Sequence, residues 1–301
     1  MARQNIVFMY ARVNKAPLIN KNDATNELNY GLVYVDAVRG LRNVGDDLKF
    51  IKHDYPLIIS RDKRILEEMA TWKENDVVTI KGAITSKRMN KTSYCPNCKD
   101  ENGMATKNVS TGNLLYITPI YVKKNYSFET KNEAIEEIVQ NREISNQAYV
   151  VGTLLKDPKF IKTKAGLQVT QYPIAINRKF TIRTDDPSIR TDYPVVKSYG
   201  EQARDDKTFL KYQAEIIIDG FLQQRTVRRK QKCACCGNIY EWQDNSLELV
   251  PYEVEYLKGF LTPEEVEKEK KASVEEYKQM LFGNNASDNI EEDEEELYSN
   301  E

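Results

Sequence analysis

The heptapeptide DYPLIIS at residues 54–60 returns as DYPVVKS at residues 192–198, and the offset of 138 positions holds well beyond it. At the same offset Ile80 and Gly82 fall on Ile218 and Gly220, Cys95 on Cys233 and Cys98 on Cys236, with no gap from 54 to 98. With small slips the match continues outward. Val13, Lys15 and Pro17 fall on Leu154, Lys156 and Pro158, and Pro119 and Val122 on Pro251 and Val254. Chance does not easily place a CxxC at a matched distance from a matched glycine, so the repeat sets the reading of the whole chain. Its 301 residues are about twice the usual length of one domain and read as one domain written twice, over residues 1–125 and 146–260.

Each copy is rich in strands. Alternating, β-branched stretches predict strands over 4–14, 30–39, 54–60, 76–89 and 113–123 in the first copy, with a helix over 62–73. In the second they predict strands over 147–155, 168–178, 192–199, 214–229 and 247–256, with a helix over 200–211. Five strands with a helix between the third and fourth is the order of an OB barrel. The fold expected is therefore mainly β, two tandem five-stranded OB-fold barrels. Between them, in 126–145, Ala134, Ile135, Ile138 and Val139 recur at helical spacing and predict a linker helix. Thr262 followed by Pro263 starts a C-terminal helix spanning 261–283, and residues 284–301 read as a disordered acidic tail.

The net charge of −2, from 44 Lys plus Arg against 46 Asp plus Glu, hides a segregation. Eight acids and no base lie in 284–301, which leaves 44 bases against 38 acids in the rest. The body is +6 and the tail −8. No apolar run reaches the ~20 residues of a membrane helix, and the N-terminus lacks signal-peptide character, so a cytoplasmic, nucleoid or replication-associated protein is expected. The chain has one histidine, His53, read as a surface or groove-edge residue. No Walker loop, nucleophile elbow or HExxH occurs, and Asp185-Asp186 has no partners for a nuclease, so the protein is read as not an enzyme.

The second copy resembles the bacterial single-stranded DNA-binding protein family. The likeness rests on VVGTLLKDPKFIKTKAGLQVTQYPIAINRKF (150–180), TDYPVVKSYGEQA (191–203) and EIIIDGFLQQR (215–225), with Gly152, Asp157-Pro158, Gly166, Ala175, Asn177-Arg178 and Gly220 at the family's positions. It covers about 80 residues, and the first copy follows through the repeat. The resemblance implies an OB fold, sequence-tolerant binding of single-stranded DNA in replication, recombination or repair, and a disordered acidic C-terminus that reaches replication or repair proteins. Two features depart from the family: a CxxC in each loop between strands four and five, and a tail ending LYSNE (297–301), which weakens the case for family-style docking on the tail.

Such binding needs flat side chains for bases and cations for phosphates. In copy two, Tyr193, Lys197 and Tyr199 share a strand face, and Tyr193 and Tyr199 align with stacking positions of the resembled family. Phe221 is expected to face outward beside Arg225, ahead of the cationic run Arg228, Arg229, Lys230 and Lys232, with Trp242 across the hairpin. Arg178 and Lys179 open a second basic cluster that includes Arg183 and Arg190. Copy one keeps Tyr55 and the cations Lys81, Lys87 and Arg88, with Arg61 where Tyr199 stands and Ala83 where Phe221 stands. Copy two is thus expected to supply more stacking and copy one more charge.

Cys95-Pro-Asn-Cys98 and Cys233-Ala-Cys-Cys236 have the form of zinc knuckles, each supplying two of the four ligands of a structural Zn2+. One zinc held by all four of these thiolates, joining the two hairpins, is the economical arrangement. Sites completed between chains or by other ligands, and reduced pairs without metal, are the alternatives, and Cys235 is spare. The alternative functions are a zinc-containing replication or transcription adaptor that binds proteins, and an RNA-binding OB protein. The expected partner is single-stranded DNA, without membrane, and the chain as monomer or homodimer.

Overall fold

The computed structural model describes residues 4–22, 27–40, 51–99, 103–179, 182–184, 186 and 188–282, so the acidic tail expected at 284–301 lies outside the described residues. The first half runs β1 (Asn5–Val13), β2 (Leu18–Lys21), β3 (Leu28–Val38), β4 (His53–Asp54), β5 (Leu57–Ser60), α1 (Lys63–Met69), β6 (Asp76–Lys99) and β7 (Ala105–Ser127). Two short helices follow, α2 (Lys131–Gln140) and α3 (Arg142–Ser145). The second half repeats the order as β8 (Asn146–Leu154), β9 (Lys159–Lys162), β10 (Gln168–Asn177), β11 (Thr191–Asp192), β12 (Val195–Tyr199), α4 (Gly200–Phe209), β13 (Glu215–Lys232) and β14 (Ile239–Lys258). A last helix, α5, spans Pro263–Phe282.

Strand alternation closes each half around its own apolar interior. Val7, Met9, Ala11 and Val13 of β1 are fully buried, as are Tyr172, Ile174 and Ile176 of β10. The strands ring up as β1–β3–β5–β7–β6 and back to β1, with one parallel contact, Ile58 opposite Ile117. The second ring is β8–β10–β12–β14–β13, closed by the equivalent parallel pair Val196 and Leu249. Both rings are OB barrels. Gly82 and Gly220 sit at a register shift facing Pro119 and Pro251, where a Cβ would lie 2.7 Å from the Thr118 carbonyl oxygen and 2.2 Å from that of Val250. That close approach is why the repeat keeps a glycine there.

The two barrels share one 14-stranded sheet, because β1 pairs antiparallel with β8. Val7 lies opposite Ala148, its own counterpart in the repeat, so a local twofold axis passes through that pair. Asn5 exchanges two hydrogen bonds with the Ile84 backbone (2.9 and 2.8 Å), and its counterpart Asn146 does the same with Leu222 (2.9 and 3.0 Å). Across the axis the contacts are reciprocal. The Gln224 N–H donates to Asp54 (2.7 Å) and the Ser86 N–H to Asp192 (2.8 Å). Each of these carboxylates, fully buried, also clamps an arginine of its own half: Arg39 on Asp54 at 2.6 and 2.8 Å, and Arg178 on Asp192 at 2.6 and 2.7 Å.

Three elements depart from the sequence expectation. The helix expected over 62–73 is the shorter α1, capped by Asp62, whose carboxylate accepts the Arg64 N–H. The segment expected as one linker helix is split into α2 and α3; its expected apolar face does pack, Ala134, Ile138 and Val139 lying against Tyr10, Val38 and Val77 of the first barrel under a Thr130–Glu133 capping box. The fourth strands run past their expected ends, to Lys99 and Lys232, and the fifth begin eight residues early, at Ala105 and Ile239, because the two hairpins become arms that lie against each other; the polar alternation there looked like loop. The C-terminal helix begins as expected, with Thr262 and Glu265 capping each other at 2.8 and 3.3 Å.

Asp54→Asn and Asp192→Asn test the twofold clamp. Each leaves a largely buried guanidinium facing a neutral amide, and each is expected to lower the unfolding free energy by about 3–5 kcal/mol in a denaturant titration. A change under about 0.5 kcal/mol in either would show that the pairs are incidental.

Candidate nucleic-acid interface and metal centre

The structure distributes the expected contact residues unevenly. Tyr193 is 48% exposed, between β11 and β12, with its N–H donated to Ser86 Oγ of the first half at 3.0 Å. Its counterpart Tyr55 is half-buried, with its N–H donated to Gln224 Oε1 of the second half at 3.1 Å. Tyr199 is half-buried at the end of β12, beside Gln223, Arg225 and, from the first half, Arg39. Burial holds both the Tyr55 and Tyr199 phenols above their ordinary pKa, aided at Tyr199 by Glu248. Both rings therefore stay neutral at physiological pH, as a platform beside phosphates requires. Lys87, Arg88, Lys179, Arg225 and Arg228 are exposed and Lys81 is half-buried.

Five expected residues are engaged elsewhere. Arg178, 8% exposed, spends its guanidinium on Asp192 and the Ile189 carbonyl, so it holds the fold and is not presented to a phosphate. Phe221 is also 8% exposed. Alternation along β13 keeps it on the outward face, but Tyr252, the extra residue of β14 at the Asp219/Gly220 bulge, covers it at 4.9 Å and the Arg39 guanidinium lies 5.2 Å from its ring, so it is no open platform. Lys197 is tied to Glu248 at 2.6 Å in a nearly buried pair. Arg229 and its counterpart Lys91 both reach Asp244, at 2.5 and 2.6 Å, so a single acid sits between two equivalent cations of the two arms. Trp242 packs with Tyr240 against the cysteines and not along the barrel groove. His53 Nδ1 lies 2.7 Å from Asp36, which also holds buried Arg12 at 3.1 Å.

Sequence reading missed Tyr30, Tyr116 and Arg39. The first two lie on β3 and β7, which closing of the barrel brings around one cavity. Arg39 matters because it crosses to the other half, which no periodicity within one copy reveals.

At the ends of the arms, Cys95, Cys98, Cys233 and Cys236 come together with all four sulfurs within 4.8 Å of one another. The contacts run across the repeat: Cys95 Sγ to Cys236 Sγ at 3.8 Å and Cys98 Sγ to Cys233 Sγ at 3.5 Å. Tetrahedral zinc with bonds of about 2.3 Å needs sulfurs about 3.8 Å apart, so the donor set fits. Hydrogen bonds from the Cys236 backbone and the Asn108 amide bring the Cys233 thiol down to about 6, poised as a thiolate ligand. Cys235 is exposed and outside the cluster. Supporting contacts also cross between arms: Ser93 Oγ to Tyr240 OH at 2.7 Å, and the Ala234 N–H to Asn108 at 2.9 Å.

Residues 145–235 match the sequence profile of the single-strand binding protein family. That match lies within the second half and stops before β14. Single-stranded DNA-binding protein 2 of Staphylococcus aureus (strain COL) is 31% identical over 86 residues, 29% of this chain and 60% of the relative. Single-stranded DNA-binding protein A of Bacillus subtilis (strain 168) is 31% identical over 86 residues, 29% of this chain and 49% of the relative. The chain thus spans about half to 60% of the curated relatives it matches. Among solved structures, the wild-type single-stranded DNA binding protein from Thermus aquaticus superposes with a TM-score of 0.50 at 12% identity, over 85% of this chain and 95% of that one. A deletion mutant of that protein gives 0.50 at 13% identity over 88% and 100%. At such identity the likeness shows the fold alone, and it extends across both halves.

The shared acid between the arms is directly testable. Asp244→Asn leaves Lys91 and Arg229 converging without a counter-charge, with an expected loss of about 1–3 kcal/mol and faster amide exchange along β6 and β13 beyond the barrels. Unchanged exchange there would mean that the arms are held by other contacts.

Proposed function

We propose that the chain binds single-stranded DNA without reading its sequence, in the service of replication, recombination or repair, and is not an enzyme. The observation that carries this reading is the family domain at 145–235, with Tyr193, Tyr199, Arg225 and Arg228 on its accessible side. Bases stack on Tyr193 and Tyr199 and, in the first half, on Tyr55. Phosphates are met by Lys81, Lys87, Arg88, Lys179, Arg225 and Arg228. This division treats 1–125 and 146–260 as two binding units working in one chain, in the cytoplasm.

Fluorescence titration with dT oligomers of increasing length tests the reading. Affinity should fall steeply between about 50 and 200 mM salt, with a log–log slope of about −0.7 per phosphate contacted. Tyr193→Ala and Tyr199→Ala should each cost about 1–3 kcal/mol. Binding to oligo-U as tight as to oligo-dT would favour an RNA-binding role, and no binding to either would favour a protein adaptor.

The four cysteines are proposed to hold one structural Zn2+ per chain, pinning the two arms. Its chemistry there is tetrahedral thiolate ligation, and Asn108 and Tyr240 brace the ligand loops. Elemental analysis should find one zinc per chain in the wild type and none in Cys98→Ser or Cys236→Ser, with a lowered melting temperature in both. Metal-free protein from a chelator-free preparation would sink the proposal.

A further inference from the structure

Resting on the single-stranded DNA reading, we infer that the first half carries a pocket for one nucleotide, completed by Arg183 of the second half, and that the second half has lost the equivalent pocket. A cavity of ≈ 290 Å³ opens between β3, β5, β6 and β7, at the small end of the roughly 300–1,000 Å³ of small-molecule sites. It is sized for a single nucleotide unit.

Its chemistry is divided. Ile59 and Met89 line it with apolar surface above the largely buried ring of Tyr116, 5% exposed, and Arg61, Lys87 and Arg183 add three cations to the same lining. The Arg61 guanidinium sits over the Tyr30 ring at 4.9 Å, which holds its charge beside the opening. Arg183 is 69% exposed and comes within 3.9 Å of Asp62, the cap of α1, so the segment that follows Arg178 in the second half reaches the first barrel. Asp62 is the acid that faces Arg183 at this edge. An apolar floor with a cationic rim suits a base below and its phosphate above.

The repeat supplies the contrast. The counterparts of Ile59 and Tyr116 are Lys197 and Glu248, and there they form the nearly buried ion pair at 2.6 Å. The counterpart of Tyr30 is Val169, and that of Arg61 is Tyr199. The second half therefore fills the same space with a salt bridge and presents a carboxylate where the first half presents an aromatic ring. The pocket would add a base-binding position to the first half, beside the tyrosines of the second.

The test uses the full chain and dT oligomers. The double variant Ile59→Lys with Tyr116→Glu transplants the second half's ion pair and should weaken binding about 5- to 150-fold, the worth of one stacked base. Arg183→Ala should flatten the salt slope by about 0.7. Lys15→Ala, on an exposed turn away from the cavity, should do neither. A 5-iodouracil-substituted oligomer, irradiated on the wild type, should crosslink to Tyr30 or Tyr116. That result decides the matter if the double variant does not fold. Wild-type binding with unaltered affinity and slope in the variants, or with crosslinks confined to the second half, overturns the pocket and leaves the function standing. A wild type that binds no dT oligomer overturns the function and the pocket with it.

Discussion

The antiparallel ladder between β1 and β8 is the constraint from which the rest of the molecule follows. Alone, the first barrel would leave one side of the Asn5–Met9 stretch of β1 unpaired, because β1 meets β3 only at Arg12 and Val13, and the same holds for the start of β8. Pairing the two edges about Val7 and Ala148 covers both and sets the relative placement of everything else. It brings Asp54 and Asp192 against the opposite halves, carries Arg39 and Arg183 across the junction, and lays the two hairpins side by side so that their cysteines meet. The helices between the copies make this contact intramolecular. They are no loose tether: α2 packs on the first barrel, and Ser145 of α3 bridges the Val38 N–H (2.9 Å) and the Tyr10 carbonyl (2.7 Å) just before β8 begins.

What the residues announced in advance was whatever repeats or alternates. The doubled DYP segment, the paired glycines and the paired CxxC motifs led to two barrels of the right strand order, and to four cysteines that do converge across the repeat. Burial created between the copies was not legible, because it has no period in the chain. Arg178 reads as one of many loop cations, yet Asp192 holds it, and Phe221 reads as an open outward ring, yet Tyr252, bulged out of β14, covers it. The same blindness ended the arms too early. Their strands are polar on both faces, and what orders them is a second arm that no local pattern announces.

A symmetric scaffold in one chain is also free to differ between its halves, and the differences are chemical. Two identical subunits related by a true twofold would carry either two acids between the arms or none. Here Asp244 serves both Lys91 and Arg229, while its counterpart is Gly112, whose Cβ position is already crowded by the Lys91 side chain at 2.9 Å. One carboxylate near the axis suffices for two cations, and a second would be in surplus. The exchange of Ile59 and Tyr116 for Lys197 and Glu248 follows the same logic at the grooves: an ion pair that needs no ligand on one side, and an open apolar floor on the other. Doubling within one chain therefore does more than secure the pairing of two barrels. It allows one of them to be specialised at positions where a homodimer would have to change both.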